Sequence, residues 1–244
     1  MTKVFISGSI SIKELTNIVT ESVDKIISNN FMILVGDANG IDTEIQKYCT
    51  INNYFNLKVY SIYYESRNNL SSEFLTQTVN INDDSIKSER ERQKFKDIKM
   101  TEDCDYGLVI WDEESKGSFE NILRLIKLNK PFKVYSSKKN DFLNELEKEE
   151  SNIQKLYSSN NGLTASEVIK ELQKRDINHF QTARDINSFL LNERIVIKEK
   201  SCYLPTKGNE NLVIIKNSRR GIQSKYSFEM IEFLINKITN ERLF

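Results

Sequence analysis

Phe31-Met32-Ile33-Leu34-Val35-Gly36-Asp37-Ala38-Asn39-Gly40 decides the fold. The continuous apolar run from Phe31 to Val35 is too short for a helix and suits a strand covered on both faces, as in a parallel sheet. It stops in a loop with two glycines, and helical periodicity follows over residues 41–54. Upstream, Val4-Phe5-Ile6 repeats the pattern and closes in Ser7-Gly8-Ser9. Residues 11–27 then place Ile12, Leu15, Ile18, Val19, Val23, Ile26 and Ile27 at helical spacing. Downstream come a strand over 57–63, the run Gly107-Leu108-Val109-Ile110-Trp111, a helix over 118–130 and a strand over 130–135. Strand and helix alternating at this pace predict right-handed βαβ units. The expected fold is α/β over residues 1–138, a Rossmann-like parallel sheet with helices on both faces.

The 244 residues, 39% hydrophobic and 29% charged, describe an ordinary folded chain and exclude long disorder. No run approaches the roughly 18 apolar residues that span a bilayer, so no membrane association is expected. The first residues lack the apolar core of a signal peptide. Cys49, Cys104 and Cys202 are widely spaced and odd in number, which fits free buried thiols in a reducing cytoplasm. His179 is the only histidine, so neither a metal site nor a Ser-His-Asp triad is expected, and no cofactor is predicted. The net charge is zero, yet residues 151–244 hold 15 Lys/Arg against 10 Asp/Glu, leaving 20 against 25 in residues 1–150. The rear is basic and the front acidic.

Between residues 65 and 93 the pattern weakens into an insertion, a length that usually belongs to a lid or binding loop. A charged helix follows over 88–100, where Arg90, Arg92 and Lys96 either close over phosphates or form a solvated face with mixed pairs. Residues 139–244 predict a smaller α+β domain with a connecting helix over 141–157. Thr164-Ala165-Ser166-Glu167 is a capping box. A helix over 181–191 precedes a hairpin pairing 194–198 with 202–204, then a strand over 212–216 and a helix over 227–238. Two short helices and a hairpin in a basic segment form a winged-helix pattern.

In an open parallel sheet, ligands sit beyond the carboxyl ends of the strands. Ser7, Gly8 and Ser9 offer hydroxyls and backbone N–H groups there, as phosphates require. Gly36, Asp37 and Gly40 allow close backbone approach, and Asp42 either caps its helix or meets a ribose hydroxyl. Asp112, Lys116, Gly117 and Ser118 lead into the third helix. Tight turns favour the same residue types, so the signal lies in three such loops on one rim.

The string from Met100 through Asp105-Tyr106, Trp111-Asp112 and Ser115-Lys116-Gly117-Ser118 resembles the bacterial SLOG superfamily, in particular its YspA/YpsA-like branch. Gly36-Asp37-Ala38-Asn39-Gly40-Ile41-Asp42 is similar to the Gly-x-Ala-x-Gly-x-Asp element of that group. The resemblance covers roughly residues 3–135. It implies a nucleotide-type small molecule as ligand, with Trp111 and Asn121 joining the loop residues. Relatives include N-glycosidic hydrolases as well as pure ligand sensors. Hydrolytic relatives carry Glu four residues after the loop glycine, where this chain has Asn121, with Glu120 one step earlier and about 100° around the helix. If the chain is catalytic, Glu120, Asp42 and Asp112 are the candidate carboxylates. The rear domain resembles winged-helix domains and the C-terminal part of deoxyribosyltransferase-like retron effectors. That resemblance implies DNA contact through Gln181, Thr182, Arg184, Lys198 and Lys200, while SLOG relatives suggest a homodimer. Three functions therefore stand: a nucleotide-binding sensor, an N-glycosidase or deoxyribosyltransferase-like enzyme in antiphage defence, and a DNA-binding regulator.

Overall fold

The computed structural model describes residues 1–81, 86, 88–218 and 221–241. They form two compact units, Met1–Ile153 and Gln154–Phe244.

In the first unit the chain runs β1 (Lys3–Gly8), α1 (Asn17–Ser28), β2 (Met32–Val35), α2 (Ile41–Ile51), β3 (Leu57–Ser61) and β4 (Leu75–Thr78). It continues as α3 (Glu89–Asp103), β5 (Tyr106–Trp111), α4 (Lys116–Lys127), β6 (Phe132–Ser136), β7 (Asp141–Phe142) and α5 (Glu150–Asn161), a helix that passes into the second unit. The strand order is β4-β3-β2-β1-β5-β6-β7, with only the β6–β7 pairing antiparallel. This is a Rossmann-like α/β sheet. The chain builds outward from β1 to β4, then returns to the other side of β1 as β5. That reversal opens a crevice beyond the carboxyl ends of β1 and β5.

Alternation along each strand feeds both faces. Val4, Ile6, Leu108 and Ile110 pack with Val19 and Val23 of α1 and Ile41 and Ile45 of α2. On the opposite face Trp111 stacks on Phe119 of α4, and a Cβ at Gly107 would collide with Leu125 of the same helix. Gly8 gives Ile41 the same clearance on the α2 side. Each buried Val, Ile or Leu contributes on the order of 2 kcal/mol, so this two-sided core is the main source of stability.

Several expected boundaries shift for physical reasons. The first helix starts at Asn17, not Ser11; Ile12 and Leu15 still pack on the core, but from a loop. The expected insertion contains β4, an edge strand whose Leu75-Thr76-Gln77-Thr78 is mostly exposed and so lacks apolar alternation. Residues 82–85 and 87 of that stretch lie outside the described residues. Residues 141–142 pair with β6 instead of opening a helix, which begins at Glu150, and this pairing keeps residues 139–153 with the first unit.

The second unit contains α6 (Ala165–Gln173), α7 (Ala183–Asn192), the hairpin β8 (Val196–Glu199) and β9 (Cys202–Pro205), the hairpin β10 (Val213–Ser218) and β11 (Gly221–Tyr226), and α8 (Glu229–Glu241). Thr164–Glu167 and Thr182–Asp185 form capping boxes at the starts of α6 and α7. Val168, Leu172, Ile186, Leu190, Met230 and Leu234 build a separate core. β11 was not expected, because Gly221-Ile222-Gln223-Ser224-Lys225 is largely exposed and carries little apolar pattern. All three cysteines are free and buried. Among the described residues, no helix is long and apolar enough to cross a membrane and no His/Cys/Asp/Glu group is arranged to hold a metal ion.

Candidate functional site

A cavity of about 420 Å³ opens at the crevice between β1 and β5. Ser7 and Gly8 of β1 line it on one side, and Lys116, Gly117, Ser118, Glu120 and Asn121 of α4 on another. α3 supplies Arg90, Gln93, Lys94, Lys96 and Asp97, while Asp42 and Arg67 arrive from α2 and the loop after β3. The cavity thus gathers basic side chains, three carboxylates and the first turn of one helix.

That turn is aimed by the loop before it. Asp112 accepts hydrogen bonds from the Glu114 and Ser115 amides at 3.0 and 2.6 Å, and Ser11 donates to the same carboxylate. Burial pushes the Asp112 carboxyl up, but the Ser11 hydroxyl and these amides outweigh it and hold it below the usual range. Glu113 adopts a left-handed φ of 62°, and its carboxylate accepts a hydrogen bond from the Ser136 hydroxyl. Ser115 makes no side-chain cap, so the first-turn amides of α4 are left without that partner. With the helix dipole, they favour negative charge at the turn. A Cβ at Gly117 would meet nothing within 4 Å, and the residue is exposed. Ser7 is only 5% exposed, and its hydroxyl has no hydrogen-bond partner among the described residues. A buried hydroxyl left in that state costs about 1–3 kcal/mol, which a ligand oxygen would recover.

The basic groups are held by acidic ones. Asp37 is fully buried and accepts from Arg67 through Nη2 at 2.8 Å and Nε at 3.3 Å. It also accepts from Lys96 Nζ at 2.9 Å and from Ser61 Oγ at 2.8 Å. Burial raises its pKa, yet Arg67, Lys96 and Ser61 more than reverse the effect and hold the carboxyl far below its usual range. Asp42 is different. Burial dominates and pushes it up to about 6, against the pull of Lys96 and the Ala38 amide. Asp97 is also raised, by burial first, with Glu120 and Asp37 adding and Lys96 and Arg124 opposing. Glu120 lies 3.3 Å from Lys94 and 3.8 Å from Lys116. Asn121 is buried and accepts from Arg124.

Of the residues expected from sequence, Ser7, Gly8, Asp42, Lys116, Gly117, Ser118, Glu120 and Asn121 meet at this cavity. The others stand behind its wall. Ser9 Oγ accepts from the Asp112 amide at 3.1 Å and lies 3.4 Å from Ser118 Oγ, tying two strand-end loops together. Gly36 makes room for Asp42 and Lys96. Gly40, at φ 82°, is the residue before α2 and packs on the backbone of Ser9 and Ile10. Asp37 anchors cations, and Asp112 shapes its turn. Trp111 is fully buried and donates to the Ser115 carbonyl at 3.2 Å, a core position. Lys96 is neither a lid residue nor solvated: it is 3% exposed and paired with Asp37, while Arg92 faces solvent away from the cavity.

Sequence reasoning did not find Arg67, Gln93, Lys94 or Asp97. The last three, with Arg90, are spaced 3, 1 and 3 apart along α3, a polar stripe at helical period where an apolar one was sought. Arg67 sits in an irregular loop and left no such signal.

No family model, curated protein or solved structure matches the chain.

In the second unit Gln181, Thr182, Arg184, Lys198 and Lys200 are all exposed. The helix expected to open with Gln181 begins at Ala183. Thr182 is spent as its cap, with its hydroxyl accepting from the Asp185 amide, and Gln181 Nε2 donates to the Asn178 carbonyl at 3.0 Å.

Proposed function

We propose that the first unit binds a nucleotide-type ligand by its phosphate at the β1–β5 crevice, and that the second, winged-helix-like unit responds to that binding. The unpartnered, buried Ser7 hydroxyl carries this reading, because it shares a cavity with the first turn of α4 and with Arg90, Lys94 and Lys116. Anions gather where amides, hydroxyls and cations converge. The resemblance of residues 3–135 to the SLOG superfamily points to the same ligand class. Calorimetric titration of ribo- and deoxyribonucleoside 5′-monophosphates into the full chain tests it; saturable binding to at least one is expected, and none would overturn the reading.

A second reading, cleavage of an N-glycosidic bond as in a deoxyribosyltransferase-like defence effector, is favoured by one observation: Asp42, raised to about 6, lines the same cavity as Asp97 and Glu120. A carboxyl half-protonated near pH 6 can protonate a departing base, while a charged carboxylate stabilises the oxocarbenium-like sugar until water captures it. Asp112, tied into its turn, takes no part. Chromatography for free base after incubation with the same nucleotides decides between the readings; release by the wild type that is lost in Asp42→Asn supports cleavage, and no release leaves binding alone.

A further inference from the structure

Resting on the phosphate reading, we propose that Glu120 sets the charge the ligand must carry, restricting the site to groups with two or more negative charges. Glu120 already sits on the cations a phosphate would use, 3.3 Å from Lys94 of α3 and 3.8 Å from Lys116 of α4. It is a resident monoanion bridging the two helices. A ligand with a single charge, such as a phosphodiester or a carboxylate, exchanges one negative charge for another at these lysines and gains little Coulomb energy. A phosphate monoester or a longer polyphosphate brings an additional charge and gains from both.

Displacement needs no change of backbone. The Glu120 side chain is 21% exposed and Lys94 and Lys116 are 40% and 49% exposed, so the carboxylate can rotate toward water while both ammonium groups stay at the cavity. Partly exposed pairs are weak enough to be exchanged by a stronger anion. Asn121, the next residue on the helix, is neutral, so no neighbouring carboxylate on that turn replaces the lost charge. Glu120 thereby lowers the affinity of every anion by one charge pair, which leaves singly charged competitors with little binding at these lysines.

The test compares isosteric ligands that differ in charge. Each nucleoside 5′-monophosphate and its 5′-sulfate, which has the same shape and one charge, is titrated into wild type and Glu120→Gln. In wild type the phosphate should bind about tenfold more tightly than the sulfate. In Glu120→Gln the phosphate and the sulfate should each gain about fivefold, because both are freed of the same resident competitor, and the gap between them should persist. Lys94→Met should weaken the phosphate in both backgrounds. Equal binding of phosphate and sulfate by wild type, or weaker binding of both by Glu120→Gln, would overturn the charge filter and leave the phosphate site standing. Failure of every phosphate to bind wild type would overturn the site itself, and the filter with it.

Discussion

Asp37, in the loop after β2, and Asp42, in the first turn of α2, stand five positions apart and are both buried, yet they are opposite kinds of acid. Asp37 receives Arg67, Lys96 and Ser61 and is held ionised. Asp42 has one backbone donor, the Ala38 amide at 3.1 Å, and is pushed up to about 6. The difference shows that a strand-end aspartate takes its role from what other elements bring to it: donors converge on Asp37 from the loop after β3 and from α3, and it becomes scaffold. Asp42 is left short of donors at a cavity wall and becomes a titrating group.

The largest break in this comparison should come from Asp37→Asn. Removing the charge strands Arg67 and a buried Lys96, and breaking such a cluster costs about 3–5 kcal/mol. Urea unfolding should register that loss; a change under about 1 kcal/mol would mean the cluster is not held as described. Asp42→Asn should act in the opposite direction. Its folded pKa lies above the unfolded value, so the native state binds the proton more tightly and loses stability as pH rises from about 4 to 6. Above pH 6 the charged form costs roughly 3 kcal/mol, which the amide removes. Unfolding of the pair at pH 8 should favour Asp42→Asn by about 2–3 kcal/mol, with the advantage gone by pH 4. A pH-independent difference would contradict the raised pKa. The smallest stability effect belongs to Ser7→Ala, a gain of about 1 kcal/mol, because an unsatisfied buried hydroxyl is removed and no bond is lost. Its effect should appear in nucleotide affinity, weakened about fivefold by calorimetry; unchanged affinity would mean that Ser7 does not meet the ligand.

Loops separate in the same way as these two acids. The β5–α4 loop was legible because Trp111-Asp112 ends a buried strand and Ser115-Lys116-Gly117-Ser118 begins a helix, so position along the chain fixes where its amides lie. The parallel core was legible from the apolar runs at Val4, Ile33 and Leu108. What sequence could not show is which side of each loop faces outward. Ser9 and Gly40 carry the residue types of a phosphate loop, but Ser9 is used to join Asp112 and Ser118, and Gly40 to let the start of α2 approach the backbone of the loop after β1. Arg67 and Asp97 reach the cavity through tertiary folding. Arg67 comes from a loop fastened by Asp37 and by the bonds of Asn68 to the Asp37 carbonyl and of Gln46 to the Asn68 carbonyl. Asp97 belongs to a helix with so few apolar residues that its inward side was indistinguishable from a solvated one.

Gly117 offers the most direct measurement. It is exposed at the first turn of α4 with open space around it, so Gly117→Asp adds a negative charge at the proposed phosphate position without a collision in the core. Calorimetric titration of nucleoside 5′-monophosphates into wild type and Gly117→Asp should show binding in the first and a loss of at least about thirtyfold in the second, with unfolding midpoints nearly equal. Equal affinity in the two proteins would contradict phosphate capture at the β1–β5 crevice.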